Sequence, residues 1–174
     1  MLPAGIHGPE SIGQQGKQDV PVDPVQGLQV IHRRILIHLV NALIKQAELE
    51  DLARLIRGGA RGARAIVFYS SVPRGFSAGA DLKTFAEGGK LAGASMAQAF
   101  GAAFEALASC PLPTIAAING YAMGGGLEAA LACDMRIASD SAQMALPEAS
   151  VGLLPCAGGT QWLAHLVGEG WAKR

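Results

Sequence analysis

The sequence is poor in cysteine, has no long apolar run, and carries no excess of charge of either sign. Its three cysteines, Cys110, Cys133 and Cys156, lie far apart, form no CxxC pair and have no cluster of histidines beside them. This pattern predicts buried thiols in a reducing compartment and favours neither a disulfide nor a metal site. No apolar run is long enough to cross a bilayer, so no membrane partner is expected.

The charge balance excludes further classes of partner. Basic and acidic residues number 14 each, so the chain lacks the positive surface that nucleic-acid binding needs. The first thirty residues hold one Lys, no Arg and no apolar core, but they include Glu10, Asp19 and Asp23. A secretory signal or a mitochondrial transit peptide is therefore not expected, and we predict a cytoplasmic location.

The 174 residues, half of them hydrophobic, suggest a single domain with a sizeable core. Residues 1–29 are rich in Gly, Pro and Gln without any period, which predicts an irregular or disordered leader before a core domain at 30–174. A helical pattern follows and ends at Gly58-Gly59. It consists of Leu43, Ala47, Leu52, Leu55 and Ile56.

Strands and helices then alternate. Strands are predicted at RAIVFYS, PTIAAIN and MRIAS, with a short one at AQMAL. Helices are predicted at residues 95–109, LEAALAC and GGTQWLAHLV. This alternation predicts an α/β fold with a largely parallel sheet.

Two glycine-containing turns have the chemistry of an anion site. In NGYAMGGGLEAALACD, three glycines end a strand and open a helix, whose first N–H groups are unpaired and carry partial positive charge. Such a turn suits an anion, including one that develops during a reaction. The stretch RGFSAGADLK runs from a strand to a helix start at Asp81, and two such donors would make an oxyanion hole.

Two glutamates are candidates for proton transfer. Glu128 lies in the first turn of the helix after the glycines, where a solvated helix-start glutamate is the ordinary interpretation. Glu148 follows Pro147 among small and apolar residues, surroundings that raise the pKa of a carboxyl group and suit acid or base work. Two glutamates that meet one substrate could share its proton transfers.

Three other interpretations remain open. The stretch GFSAG matches the G-x-S-x-G elbow of serine hydrolases, with Ser77 as nucleophile, Asp134 or Asp140 as the acid and His165 as the base. Against this, four residues separate the preceding strand from that stretch.

The second is a dinucleotide site. The sequence GGGLEA contains the spacing G-x-G-x-x-A, with Asp140 ending the next strand. The third is a non-catalytic binding or assembly module, or an inactive fragment.

Taken together, three segments resemble the enoyl-CoA hydratase/isomerase (crotonase) family over residues 41–174. They are GFSAGADLK, PTIAAINGYAMGGGLEAALACDMRIAS and PEASVGLLPCAGGTQ. The resemblance implies a spiral of ββα-type repeats, assembled as trimers or pairs of trimers. It also implies hydration of a 2-enoyl-CoA to a 3-hydroxyacyl-CoA. Another reaction of the family, such as isomerisation, is the alternative.

The resemblance also implies roles for particular residues. The N–H groups of Ala80 and Gly125 would bind the thioester oxygen. Glu128 would activate water and Glu148 would deliver the α-proton. The CoA portion of the substrate would lie along Ala78, Asp81, Leu82 and Lys83. No metal or redox cofactor is expected. CoA is part of the thioester substrate and is not counted as a cofactor.

The chain departs from the family pattern in three places. The family has two strands and an Asn-Arg-Pro-like turn before the position of Asn41. Here RRILIHLVNAL lacks that turn, and the leader is not predicted to form two strands. Cys156 stands where a glycine is common. Family members also continue with helices after the position of Arg174, so an apolar face is expected to be left uncovered.

Overall fold

The computed structural model describes residues 28–31, 34–38, 44–58 and 63–174. The predicted leader lies outside the described residues, except that Leu28 and Gln29 belong to the first strand. Of the predicted first-helix pattern, Leu43 also lies outside them.

The described residues form eight strands and five helices. The strands are β1 Leu28–Ile31, β2 Arg34–His38, β3 Ile66–Tyr69, β4 Gly75–Ser77, β5 Thr114–Ile118, β6 Tyr121–Met123, β7 Met135–Ala138 and β8 Gln143–Ala145. The helices are α1 Gln46–Arg57, α2 Leu82–Ala108, α3 Gly125–Ala132, α4 Gly159–Val167 and α5 Glu169–Ala172, and a 3₁₀ turn spans Glu148–Val151.

The strands form two sheets, and from β3 onward consecutive strands alternate between them. The first sheet has the order β1-β2-β3-β5-β7 and the second the order β4-β6-β8. Apart from the antiparallel pair β1/β2, all neighbours are parallel. The pairs β3/β4, β5/β6 and β7/β8 each give one strand to each sheet, and α2 and α3 follow the first two pairs. This repetition is the spiral of ββα repeats that the resemblance implies, and the predicted α/β class is confirmed.

The N-terminal strands correct the sequence analysis. Residues 28–38 were not predicted to contain two strands, yet β1 and β2 form an antiparallel hairpin. β2 then pairs in parallel with β3, with Ile35 opposite Ile66. Strand formation depends on such tertiary pairing more than on local pattern, which explains the difference.

The helices begin and end where the local chemistry permits. In α1 the buried residues Leu49, Leu52, Ala53 and Ile56 recur three or four positions apart, so one face packs on the core. Asp81 caps α2 by accepting a hydrogen bond from the Lys83 N–H at 3.1 Å. This helix is longer than the predicted 95–109, and its backbone breaks at Gly89, where φ is 62°.

Polar contacts fix α3 to the first sheet. Asp134, just after α3, accepts hydrogen bonds at 2.8 Å from both the N–H and the hydroxyl of Thr114, at the start of β5. Its own N–H donates to the same hydroxyl at 2.8 Å. The Arg136 guanidinium donates to the carbonyls of Ala130, Leu131 and Cys133, at the end of α3. The end of α3 is therefore tied to the start of β5.

The cysteines only partly follow the prediction of buried thiols. Cys133 is buried, Cys110 is half-buried and Cys156 is exposed, and all three are free. Among the described residues, no helix combines the length and apolar character needed to traverse a bilayer.

Candidate active site

The two predicted donor turns lie against each other. A Cβ atom built on Gly79, whose φ is 89°, would lie 2.9 Å from the backbone nitrogen of Gly125 and 2.9 Å from the Met123 carbonyl oxygen. Only glycine fits so close an approach at that backbone angle. The Ile44 N–H donates to the Gly79 carbonyl at 2.8 Å and pins this turn to the residues before α1.

The N–H groups of Ala80 and Gly125 are available to a ligand. Gly125 is the first residue of α3, and Ala80 directly precedes the cap of α2, so neither N–H can bond within a helix. Within the part of the chain that the structure describes, no backbone hydrogen bond uses either group as donor. Two donors of this kind on adjoining turns are what a site for an oxygen atom that gains negative charge requires.

Two of the three consecutive glycines are required by neighbours on opposite sides. At Gly124, φ is 53° and a Cβ atom would lie 2.8 Å from the Glu148 Oε1 atom. At Gly126, a Cβ atom would lie 2.4 Å from the Ser77 carbonyl oxygen and 2.7 Å from its Cβ. The first glycine thus admits the Glu148 carboxyl group, and the last lets α3 pack directly on β4.

Glu128 is not a solvated glutamate at a helix start. Its side chain is only 2% exposed, and its Oε1 atom accepts hydrogen bonds from the N–H groups of Ala157 and Gly159, both at 2.9 Å. Gly159 is the first residue of α4, so the positive end of that helix faces the carboxylate. The ordinary interpretation is therefore wrong, and Glu128 is held rigidly against the cavity described below.

Glu148 is half-buried and begins the 3₁₀ turn after Pro147. Burial raises the pKa of its carboxyl group above the usual 4.5, and the negative charge of Glu128 raises it further, against a lowering by the backbone N–H of Glu148 itself. Its Oε2 atom is buried without a hydrogen-bond partner among the described residues. The raised pKa agrees with the sequence prediction and suits a group that holds a proton for transfer.

A cavity of about 640 Å³ brings most of the predicted residues together. Those that line it are Ala78, Ala80, Leu82, Gly125, Glu128 and Glu148. Two predicted CoA-binding residues are not among the lining residues: Asp81, which caps α2, and Lys83, which is exposed. The lining is largely apolar, as a site for an acyl chain requires.

The structure adds wall residues that sequence reasoning missed. Gly93, Ala97 and Phe100 from α2 line one side, and Leu153, Leu154 and Cys156 line another. The helical spacing of the α2 residues was visible in the sequence, but nothing there showed that this face borders a cavity. Partial burial raises the pKa of the Cys156 thiol, and the nearby charges of Glu128 and Glu148 raise it further.

The serine-hydrolase interpretation does not fit this geometry. Ser77 is fully buried within β4, whereas a nucleophile elbow exposes its serine on a sharp turn. The Ser77 hydroxyl accepts a hydrogen bond from the Gly79 N–H at 3.2 Å. Asp134, one candidate for the acid, binds Thr114 instead.

The dinucleotide interpretation also fails. That fold places the strands before and after the glycine-opened helix in one sheet. Here β6 precedes α3 and β7 follows it, but the two strands belong to different sheets.

The fold and the cavity define an α/β protein in which two glycine-containing turns and two carboxyl groups border one apolar space. The chain belongs to the enoyl-CoA hydratase/isomerase family, whose sequence model matches residues 38–174. The family predicted from the three motifs is thereby confirmed.

Two similar proteins have known structures. The chain is 51% identical to DspI of Pseudomonas aeruginosa, with a TM-score of 0.81 over 90% of this chain and 67% of that one. It is 35% identical to an enoyl-CoA hydratase from Bacillus anthracis, with a TM-score of 0.79 over 85% of this chain and 61% of that one.

A curated relative is the bovine enoyl-CoA hydratase domain-containing protein 2, mitochondrial. It is 44% identical over 135 residues, which are 78% of this chain and 45% of that protein. The chain spans about half the length of the curated relatives it matches.

Proposed function

We propose that this chain carries the catalytic machinery for hydrating a 2-enoyl-CoA to a 3-hydroxyacyl-CoA. The observation that supports this proposal most directly is the shared cavity. Two rigidly placed backbone N–H donors and two carboxyl groups of different character border one apolar space. The hydratase names of two similar proteins support the same reaction.

The reaction needs each of these parts. The Glu128 carboxylate takes a proton from water as the water oxygen bonds to C3 of the enoyl group. Electron density moves to the thioester oxygen, where the N–H groups of Ala80 and Gly125 stabilise the enolate. Glu148, whose raised pKa favours the protonated form, gives its proton to C2. One water is consumed, and no electron leaves or enters the substrate. The step leaves Glu128 protonated and Glu148 ionised, and before the next turnover Glu128 releases its proton to solvent and Glu148 takes one up.

The N–H donors contribute because the thioester oxygen carries more charge in the enolate than in the substrate. They therefore stabilise the transition state more than the ground state. Loss of one such donor typically lowers kcat by about 10²–10³-fold. The rigid anchoring of Glu128 on two N–H groups keeps its carboxylate oriented without reorganisation during the reaction.

The proposal includes the rest of the substrate and the assembly. The CoA portion would pass along Ala78 and Leu82, near Asp81 and Lys83. Neither a metal nor a redox cofactor takes part in the steps above. A homotrimer or a pair of trimers and a cytoplasmic location belong to the same proposal. Gel filtration tests the first, and cell fractionation tests the second against the mitochondrial location in the bovine relative's name.

The test is hydration of crotonyl-CoA by the purified chain, followed as loss of absorbance of the conjugated thioester. Glu128→Gln and Glu148→Gln are each expected to lower kcat by at least about 100-fold. Glu105→Gln, which neutralises an exposed glutamate on α2 outside the cavity, is the matched control and should retain activity.

Three results would contradict the proposal. Activity that survives both cavity substitutions would remove the glutamates from the mechanism. Formation of conjugated thioester from a 3-enoyl-CoA, without hydration of crotonyl-CoA, would assign isomerisation instead. A chain that binds butyryl-CoA in a titration but turns over neither substrate would be a binding module.

A further inference from the structure

The ring of Phe100, on α2, lies directly against the backbone of Gly125. A Cβ atom built on Gly125 would lie 2.5 Å from Cε1, 3.0 Å from Cζ and 3.3 Å from Cδ1 of that ring. Its three nearest neighbours are thus all atoms of Phe100. A separation of 2.5 Å between carbon atoms is well inside van der Waals contact, so any side chain at position 125 must displace the ring.

Backbone conformation does not explain the glycine at this position. The described glycines with positive φ do not include Gly125, which is the first residue of α3. An alanine would be compatible with helical backbone angles and has the higher helix propensity. The Phe100 ring is therefore the physical reason for glycine there.

The ring cannot easily move aside. Phe100 is 3% exposed and lies between Met96 and Phe104, which are 2% and 1% exposed. It packs edge-to-face on Phe104, with ring centroids 5.4 Å apart and an interplanar angle of 80°. In a close-packed core such a ring transmits its position to whatever lies against it.

We propose that Phe100 is a positioning residue for the Gly125 N–H donor. By contacting Gly125, the ring sets how far the first turn of α3 extends into the cavity, and so where the N–H meets the thioester oxygen. Phe100 itself lines that cavity, so it acts at the site and not from a distance. The positioning role rests on the proposed function, whereas the packing contact does not.

The first experiment tests the contact alone, by a cycle of thermal unfolding measurements. Gly125→Ala should lower the Tm in the wild-type background and much less in the Phe100→Leu background, because leucine lacks the two ring atoms nearest to Gly125. Phe68→Leu is the matched control. It removes the same atoms from an equally buried ring on β3, outside the cavity lining, and it should not relieve the cost of Gly125→Ala.

The second experiment reads the donor's position through infrared spectroscopy of butyryl-CoA labelled with ¹³C at the thioester carbonyl. In the wild type, hydrogen bonds from the site should lower the carbonyl stretching frequency on binding. Phe100→Leu should lose much of this shift, and its kcat for crotonyl-CoA should fall by about 10- to 100-fold with a smaller change in KM. Phe68→Leu should keep the shift.

Each outcome decides the proposal. The proposal is supported if Phe100→Leu both relieves the Tm cost of Gly125→Ala and loses the carbonyl shift. An equal cost of Gly125→Ala in all backgrounds overturns the contact. If Phe100→Leu relieves that Tm cost but leaves the carbonyl shift unchanged, the positioning role is overturned. Phe100 would then only pack against Gly125. If Phe100→Leu relieves the Tm cost of Gly125→Ala but the wild type shows no carbonyl shift on binding butyryl-CoA, the proposed function is contradicted. The positioning role then fails with it.

Discussion

The substitution Gly126→Ala tests whether α3 is seated on β4 as closely as the structure indicates. The added methyl group would lie 2.4 Å from the Ser77 carbonyl oxygen, 2.8 Å from its carbonyl carbon and 2.7 Å from its Cβ. None of these atoms belongs to the far end of a flexible side chain. Since Ser77 is fully buried in β4, the first turn of α3 must move away from the second sheet.

The expected cost is the difference between two opposing effects. Forcing an extra methyl group into a packed core costs about 1–3 kcal/mol or more, and a clash with backbone lies at the upper end. The gain from replacing a helical glycine by alanine is at most about 1 kcal/mol. The net loss is about 2 kcal/mol, which for a chain of this length lowers the Tm by about 4–8 °C.

Gly101→Ala is the matched control, because a Cβ atom there meets nothing within 4 Å. Gly101 lies inside α2, so only the propensity gain remains, and the Tm should rise by about 1–4 °C. Both variants are followed by circular dichroism during heating. A Gly126→Ala variant that melts at or above the wild-type temperature, beside a stabilised Gly101→Ala, would refute the packing argument.

Three further predictions concern the carboxyl groups and the first glycine. Asp134→Ala leaves the buried N–H of Thr114 without its acceptor and should cost about 2–4 kcal/mol in urea unfolding, more than Asp134→Asn, which keeps an acceptor oxygen. Because the pKa of Glu148 is raised, the folded chain holds this proton more tightly than the unfolded chain does. The contribution of the Glu148 carboxyl group to the free energy of unfolding is therefore full below pH 4.5 and is lost as the pH rises through the raised pKa. Unfolding measured across pH should show this loss in the wild type and not in Glu148→Gln. Gly124→Ala combines a φ of 53° with a contact of 2.8 Å to the Glu148 Oε1 atom. It should lower crotonyl-CoA hydration by at least about tenfold, whereas hydration equal to wild type would show that the Glu148 carboxyl group does not depend on Gly124.

Most of the elements that the sequence predicted correctly have a long enough pattern, although the three-residue strand β8 was also predicted, at AQMAL. β3 and β5 are β-branched runs, and α4 has a helical period, so local chemistry decides their structure. β4 and β6 have only three residues each, which is too short for any period to show. They form because each adds a parallel neighbour to the second sheet, and that pairing is not written in either segment.

In the candidate site, too, local chemistry could be predicted from the sequence and long-range contacts could not. The motifs predicted which turns and which glutamates belong together, because residue type and helix position carry that chemistry. They did not predict that Glu128 is buried, because its hydrogen-bond donors, Ala157 and Gly159, lie 29 and 31 residues further along the chain. Phe100 was invisible for a related reason, since an apolar residue on a helix is ordinarily part of the core.

The three consecutive glycines show how one short segment can serve three different neighbours. Gly124 admits the Glu148 carboxyl group, Gly125 accommodates the Phe100 ring, and Gly126 rests on the backbone of Ser77. Each glycine is thus required by a separate part of the fold: the loop after β8, helix α2 and strand β4. Because these three parts converge on the first turn of α3, they fix that turn from three directions. In the proposed reaction, a donor N–H held in this way would need no rearrangement as charge develops on the thioester oxygen, and such preorganisation is what makes a donor effective.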